Sequence, residues 1–362
     1  MHTPANPRTM PPMIRGLNPI DCDVHPSVPG LKTLLPYMEP YWADTLVQRG
    51  MHELDTISYP NNAPLTARAD WRPETGKPAA SLEQLQSELL DPFGIDRAIL
   101  NCLYGVQLPF SEDMGAAYAR AVNDWIAAEW LDRDPRLRAS ILIPIQSAEL
   151  AVAEIERLAP DKRFVQVMTL VAGETMLGRR HHWSIYEAAE RHGLPIAIHA
   201  GSSYRNPSTA IGWSSYYIED YVSQAITFQS QLASLLSEGV FKKFPQLKVV
   251  MLESGFTWLP AFLWRYKKYW RGLAMEIPWV DRSPVDIVHD HVRFSLSPFD
   301  GPEHQADIAK IFEHLGSDEL VLFSTDYPHW QFDGDDPLAA GLSDDLVRKI
   351  LVDNPRQTYA RL

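Results

Sequence analysis

The sequence predicts an α/β protein, a (β/α)8 TIM barrel with a long insertion after its first strand. Three observations lead there. Eight short β-rich runs alternate with segments of helical periodicity, an alternation that argues a parallel sheet. The length of 362 residues suits one closed barrel. The alternative, a doubly wound open sheet, carries a glycine-rich phosphate loop after its first strand, and none follows here.

Residues 1–18 read as an N-terminal extension and 19–362 as a single barrel. Strand one is "IDCDVH" (20–25). Residues 26–80 break the rhythm with a stretch rich in proline and polar residues, and on a barrel this insertion falls over the mouth as a lid, or serves as a peripheral flap or subunit contact. The helical "SLEQLQSELLDPFG" leads to strand two, "RAILN" (97–101), and "AAYARAVNDWIAAEWL" to strand three, "LRASILIPI" (137–145). "AELAVAEIERLA" precedes strand four, "FVQVMTL" (164–170), and "SIYEAAERHG" precedes strand five, "PIAIHAG" (195–201). "YVSQAITFQSQLASLLSEG" connects to strand six, "LKVVMLES" (247–254), and "WLPAFLWRYKKYWRG" (258–272) lies ahead of strand seven, "HVRFSLSPF" (291–299). "HQADIAKIFEHLG" and strand eight, "LVLFSTDYPH" (320–329), complete the ring. The closing "DDLVRKILVDNPRQTYARL" reads as two helices, with Asn354 as a cap and Pro355 at the first helical position.

Composition narrows the function. Lys and Arg total 33 against 46 Asp and Glu, a formal charge of −13, which argues against nucleic acid or an anionic membrane as partner. No apolar run reaches membrane-spanning length, and the first residues lack the apolar core of a signal peptide. Two cysteines, Cys22 and Cys102, offer neither a disulfide framework nor a thiolate zinc site, so a reduced, cytoplasmic setting and a small-molecule substrate are expected.

Barrel chemistry sits at the C-terminal ends of the strands. Strand one ends with Asp23 and His25, strand five with His199, strand six with Glu253 and strand eight with Asp326. Residues two apart on a strand share a face and lie roughly 6.6 Å apart, so Asp23 and His25 are placed to close on one ion. His199 and Asp326 complete the set from across the pore, and Asp21 supports it from one layer deeper. Three crowded carboxylates raise one another's pKa, a conflict that a divalent cation relieves. Imidazole and carboxylate donors together suit zinc first, with manganese or iron as alternatives. Singly, His199 reads as a core histidine and Asp326 as a turn residue; their joint placement points to a metal or catalytic site. His329, just beyond Asp326, is an acid/base candidate. His289 and His291 have chelating spacing but fall at the opposite end of strand seven, and His181 and His182 open a helix in surface or capping roles.

"DCDVH", "IHAG", "STDYPH" and the closing "ILVDNPRQTY" resemble the amidohydrolase superfamily, in the amidohydrolase-2 branch that includes aminocarboxymuconate-semialdehyde decarboxylase. The resemblance spans about residues 19–362. It implies metal ligands at Asp23, His25, His199 and Asp326, the last also shuttling a proton. Two positions depart from the pattern. The first strand-one ligand is usually His, and here it is Asp23; the branch's decarboxylases place a catalytic His where strand six ends, and here Glu253 stands there. The second departure ranks metal-assisted hydrolysis of a small amide, lactone or ester first, with Asp326 taking the proton from the attacking water and Glu253 or His329 orienting it. Non-oxidative decarboxylation of an aromatic or unsaturated acid ranks second, and a catalytically silent binding protein on the same barrel third. Arg205 is placed for a substrate carboxylate, with Trp213, Tyr216 and Tyr217 as a flat aromatic wall; surface Arg and helix packing are the plain alternatives. The aromatic segment 258–272 suggests a homodimer.

Overall fold

The structure, a computed structural model, describes residues 16–54, 66–201, 205–206, 211–302, 304–332 and 342–362. Eight parallel strands follow one another in chain order: β1 Ile20–Val24, β2 Arg97–Leu100, β3 Leu137–Leu142, β4 Phe164–Leu170, β5 Ile196–His199, β6 Val249–Leu252, β7 Val292–Ser295 and β8 Val321–Leu322. Their aliphatic residues are buried on both faces, as a parallel sheet wrapped in helices requires. The ring closes beyond β8. Cys22 N donates to Phe323 O (3.0 Å), Asp326 N to Asp23 O (3.1 Å) and His25 N to Tyr327 O (2.7 Å). The predicted (β/α)8 barrel is the fold that forms.

Strands seven and eight are shorter than their apolar runs suggested. The chain leaves the ladder where polar residues begin, and those residues form the mouth of the barrel. After β6 and after β8 the backbone enters the left-handed region, with φ of 54° at Glu253 and 59° at Asp326. Residues with a Cβ avoid that region, at a cost of about 1–3 kcal/mol each, and such strain clusters at functional sites. The turns aim both carboxylates across the barrel axis.

The interior just below the mouth is polar. Asn101, at the end of β2, accepts from Ser140 Oγ of β3 and from Gln166 Nε2 of β4 (3.2 Å), and Gln166 Nε2 also reaches Ser140 Oγ (2.9 Å). On the β1–β8 side, Asp21 accepts from Thr325 Oγ1 (2.6 Å), Thr325 N (3.1 Å) and Asp23 N (3.1 Å). Asp21 thus ties the first strand to the last, and burial, partly offset by these bonds, pushes its pKa up to about 7.

The described part of the insertion runs across the mouth. Arg68 N donates to Pro328 O (2.8 Å), Trp330 N to Thr66 O (2.8 Å), and Trp71 packs edge-on against Tyr327 at 4.8 Å. Residues 55–65 of the insertion and 1–15 of the N-terminal extension lie outside the described residues. At the C-terminus the expected pair of helices is nearly continuous: Asp344–Arg348, a π-helical turn over Lys349–Asp353, then Asn354–Thr358. Asn354 is therefore helical rather than a cap, and its side chain donates to Asp318 O (2.8 Å) and Val321 O (3.0 Å) under β8.

Candidate metal centre and its cavity

Strand ends from four sides of the barrel meet at one point. His25 Nε2 lies 3.3 Å from Asp23 Oδ1, 3.0 Å from Asp326 Oδ1 and 3.5 Å from Glu253 Oε1. His199 Nε2 lies 3.3 Å from Glu253 Oε1 and 3.8 Å from Asp23 Oδ1. His329 Nδ1 lies 2.5 Å from Asp326 Oδ1 and 3.3 Å from Glu253 Oε1, with its ring stacked on His25 at 4.7 Å. Two overlapping sets of four, Asp23–His25–His199–Glu253 and His25–Glu253–Asp326–His329, each bring ligand atoms within 4.8 Å of one another. The structure thus brings together all six charged or imidazole groups that the strand-end reading singled out. His289 and His291 lie elsewhere, bonded to the carbonyls of Leu315 and Leu247.

The imidazoles are oriented for coordination. His25 Nδ1 faces the Asn101 carbonyl (2.8 Å) and His199 Nδ1 the Ala200 carbonyl (2.7 Å). A carbonyl only accepts, so Nδ1 carries the hydrogen and Nε2 turns its lone pair inward, the arrangement that second-sphere partners impose on metal-ligating histidines. Asp23 is held in turn by Asn101 Nδ2 (2.7 Å). Among the described residues, Asp23 Oδ2, His199 Nε2, Glu253 Oε1 and Asp326 Oδ2 are buried with no hydrogen-bond partner. Four orphaned donor atoms converging from acids and imidazoles fit a divalent cation, by nitrogen and oxygen chemistry and by the cost of leaving such atoms unpaired.

Without an ion the cluster balances its charge with protons. Burial disfavours imidazolium, yet Asp23 and Asp326 outweigh it and hold His25 well above the usual histidine value. The same contest raises His199, through Glu253 and Asp23, and lifts His329 to about 9, chiefly through Asp326. Burial and then the Glu253 charge push Asp326 up to about 6. Glu253 falls well below the carboxylate range because His199 and its other imidazole neighbours overcome its burial.

A cavity of about 670 Å³ opens over the cluster, walled by Val28, Leu54, Cys102, Leu103 and Pro298 among others. Helix Tyr217–Ser237 contributes Asp220, Tyr221 and Gln224, and the insertion contributes Glu53, Ala67 and Lys77. Lys77 is the only lysine or arginine among the described lining residues; it pairs with Glu53 at 3.0 Å, and Glu53 also accepts from Tyr104 Oη (3.0 Å).

The expected substrate residues are placed otherwise. Trp213 and Tyr216 are 61% and 70% exposed and do not line the cavity. Tyr216 sits at the N-cap of helix Tyr217–Ser237, and Tyr217 lies outside the lining while donating to Tyr221 Oη (3.1 Å). Tyr221, one helical turn on, is the aromatic of this helix that reaches the cavity, which Tyr104 also lines. Arg205 does not line it either; its Nη1 donates to Leu108 O (3.1 Å) and its guanidinium lies 5.0 Å from the Phe110 ring centre. His182 is buried rather than superficial, with Nε2 3.0 Å from Thr175 Oγ1. Asn101 escaped the strand-end reading although it ends "RAILN" as the ligand residues end their strands. Asp220, Tyr221 and Lys77 carry no such signal, since each is polar in a segment where polar residues are ordinary.

The chain matches the amidohydrolase family model over residues 20–361. A gamma-resorcylate decarboxylase of Polaromonas sp. is 25% identical over 276 residues, covering 73% of this chain and 82% of that protein. Among solved structures, an amidohydrolase from Mycobacterium avium subsp. paratuberculosis has a TM-score of 0.73 at 19% identity, covering 94% of this chain and 97% of the other. A 5-carboxyvanillate decarboxylase from Novosphingobium aromaticivorans, complexed with manganese and 4-hydroxy-3-methoxy-5-nitrobenzoic acid, has a TM-score of 0.69 at 18% identity, covering 99% and 100%. With the barrel and the strand-end cluster in place, the family match over nearly the whole chain settles its membership: this protein belongs to the amidohydrolase family, in the amidohydrolase-2 branch.

Proposed function

We propose that this protein is a divalent-metal-dependent, non-oxidative decarboxylase of an aromatic carboxylic acid. The observation that carries the reading is the convergence of Asp23, His25, His199, Glu253, Asp326 and His329 in two overlapping sets, with orphaned atoms on Asp23, His199, Glu253 and Asp326, beneath a cavity of aromatic-acid size. Relatives that are gamma-resorcylate decarboxylases favour this reaction over the hydrolysis ranked first from the sequence. A neighbour's manganese places that ion beside zinc as a candidate.

Asp23, His25, His199 and Asp326 would hold the cation, and Glu253 would be a further donor or the anchor of His329. When bound, a divalent ion would supply positive charge that stabilises a substrate carboxylate. The Glu253 carboxyl, held ionised, is a poor proton donor, so the strand-six departure from the branch pattern shifts the acid role to His329 and Asp326. His329 hands its proton, with Asp326, to the ring carbon that bears the carboxylate. The carbon–carboxylate bond then breaks, its electron pair restores the aromatic ring, carbon dioxide leaves, and water reprotonates the acid pair. Insertion residues such as Lys77 and Ala67 act as a lid that keeps bulk water from the reacting carbon. Trp264 and Tyr269, 58% and 55% exposed on helix Leu259–Leu273, offer a face for a second copy.

The test is carbon dioxide release from a panel of hydroxybenzoates, run beside amides and lactones, with manganese- or zinc-loaded protein. In deuterium oxide the product carries deuterium at the vacated ring position. His199→Ala retains its circular dichroism but loses bound metal by elemental analysis, and with it carbon dioxide release. Hydrolysis of an amide or lactone with no carbon dioxide would return the protein to the hydrolase reading.

A further inference from the structure

Three carboxyl groups besides the cation cluster line the cavity, Glu53, Asp220 and Asp300. Glu53 is paired with Lys77, Asp300 accepts from Phe256 N (3.4 Å), and Asp220 is the one with a buried, unpartnered oxygen among the described residues. Asp220, in helix Tyr217–Ser237, is 4% exposed and lines the cavity. Among the described residues its Oδ1 has no hydrogen-bond partner, and Gln224 is the side chain that bonds its carboxylate. Oδ2 accepts a single long bond from Gln224 Nε2 (3.4 Å). Gln224 has a fixed sense, because its Oε1 accepts from Gly201 N (3.3 Å) and leaves the amide nitrogen for Asp220. Gly201 follows β5 two residues after His199, so the chain Asp220–Gln224–Gly201 links the carboxyl to the rim of the metal centre.

Asp220 has no structural duty that would explain its burial. The helix start is served by Glu219, whose carboxylate accepts from Ser215 N (2.6 Å) and Tyr216 N (2.9 Å). Early in the helix, the macrodipole favours an anion at Asp220. An ionised carboxylate with one buried, unpaired oxygen is unfavourable and is relieved by a ligand that brings a donor.

We propose that Asp220 is a specificity-determining residue that accepts a hydrogen bond from a hydroxyl or amino substituent on the substrate ring. The inference rests on the aromatic-acid reading of the cavity. It also sets the substrate's direction. A substrate carboxylate is repelled by Asp220 and turns to the cation cluster, while the ring's donor turns to the helix.

Hydroxybenzoates and aminobenzoates, each compared with benzoate, serve as probes in calorimetric titrations of manganese-loaded wild type, Asp220→Ala and Asp220→Asn. Wild type binds at least one hydroxylated or amino acid tenfold or more tighter than benzoate. Asp220→Ala erases that preference without weakening benzoate binding, while Asp220→Asn keeps part of it through its carbonyl oxygen. Ligand-free Asp220→Ala melts at the wild-type temperature or above it, since an unpaired buried carboxyl has been removed. An unchanged preference in Asp220→Ala overturns the inference. So does a lower melting temperature with equal loss on every probe, the mark of a structural residue. Carbon dioxide is scored separately: an Asp220-dependent preference without carbon dioxide release keeps this inference and overturns the decarboxylase, and release with a preference untouched by Asp220→Ala does the reverse.

Discussion

Asn101→Asp exchanges one heavy atom, an amide nitrogen for an oxygen, directly beneath the metal centre. Asn101 Nδ2 stands 2.7 Å from Asp23 Oδ1, and both residues are fully buried. The substitution replaces that donor with a carboxylate oxygen at the same place. Two unit charges at this spacing repel by about 6 kcal/mol at an effective dielectric of roughly 20. The folded variant relieves that repulsion by keeping one proton between the two carboxyls, a proton that the unfolded chain, with the groups apart, releases at lower pH. The native state then binds more protons than the unfolded one, so stability is lost as pH rises, by up to about 1.4 kcal/mol per unit. Asn101→Asp is thus expected to cost little at the acid end of the range and up to about 6 kcal/mol once both carboxyls are ionised. Urea unfolding of wild type and variant at pH 5, 6, 7 and 8, with chelator throughout, measures the difference. A loss that stays constant across that range would refute the claim that Asn101 works by donating to the Asp23 carboxylate.

His182 gives the wild-type protein an acid sensitivity of its own. Burial first, and then the neighbouring His181, lower its pKa to about 4. Because the unfolded chain protonates near about 6.5, stability is full above that value and falls by about 3 kcal/mol as pH drops to about 4. His182→Gln is expected to flatten urea midpoints between those values, and an unchanged slope would assign the acid sensitivity elsewhere. The exposed aromatics make the opposite prediction. Trp213→Ala and Tyr216→Ala change unfolding free energy by less than about 0.5 kcal/mol each and leave KM unchanged, whereas Tyr221→Phe alters kcat/KM severalfold. A KM increase in either alanine variant would restore the aromatic wall expected from the sequence.

Much of the site is legible along single strands. Asp23 and His25 share a face because strand geometry repeats every two residues, and His199, Glu253 and Asp326 each interrupt an apolar run where a barrel strand must end. Such breaks are local, and no partner is needed to see them. The same locality produced the errors. Trp213, Tyr216 and Arg205 follow His199 closely in sequence, yet none of them lines the cavity, and Tyr216 stands at the N-cap of helix Tyr217–Ser237. Glu253 suggests an acid by position, but three imidazoles around it hold it ionised.

By itself, then, the sequence determined eight strands, their order and the ends that bear chemistry, because alternation and its interruption are properties of neighbouring residues. Tertiary structure decided what those ends face. Closure of β1 onto residues 323–327 brings Asp23 and Asp326 together, left-handed turns at Glu253 and Asp326 aim their side chains inward, and Asn101 orients Asp23 from the next strand. The cavity wall was likewise settled only by folding: Asp220, Tyr221 and Lys77 come from a helix and an insertion far apart in the chain. No period in the sequence relates such positions, because what joins them is packing around the barrel and not the repeat of any one element.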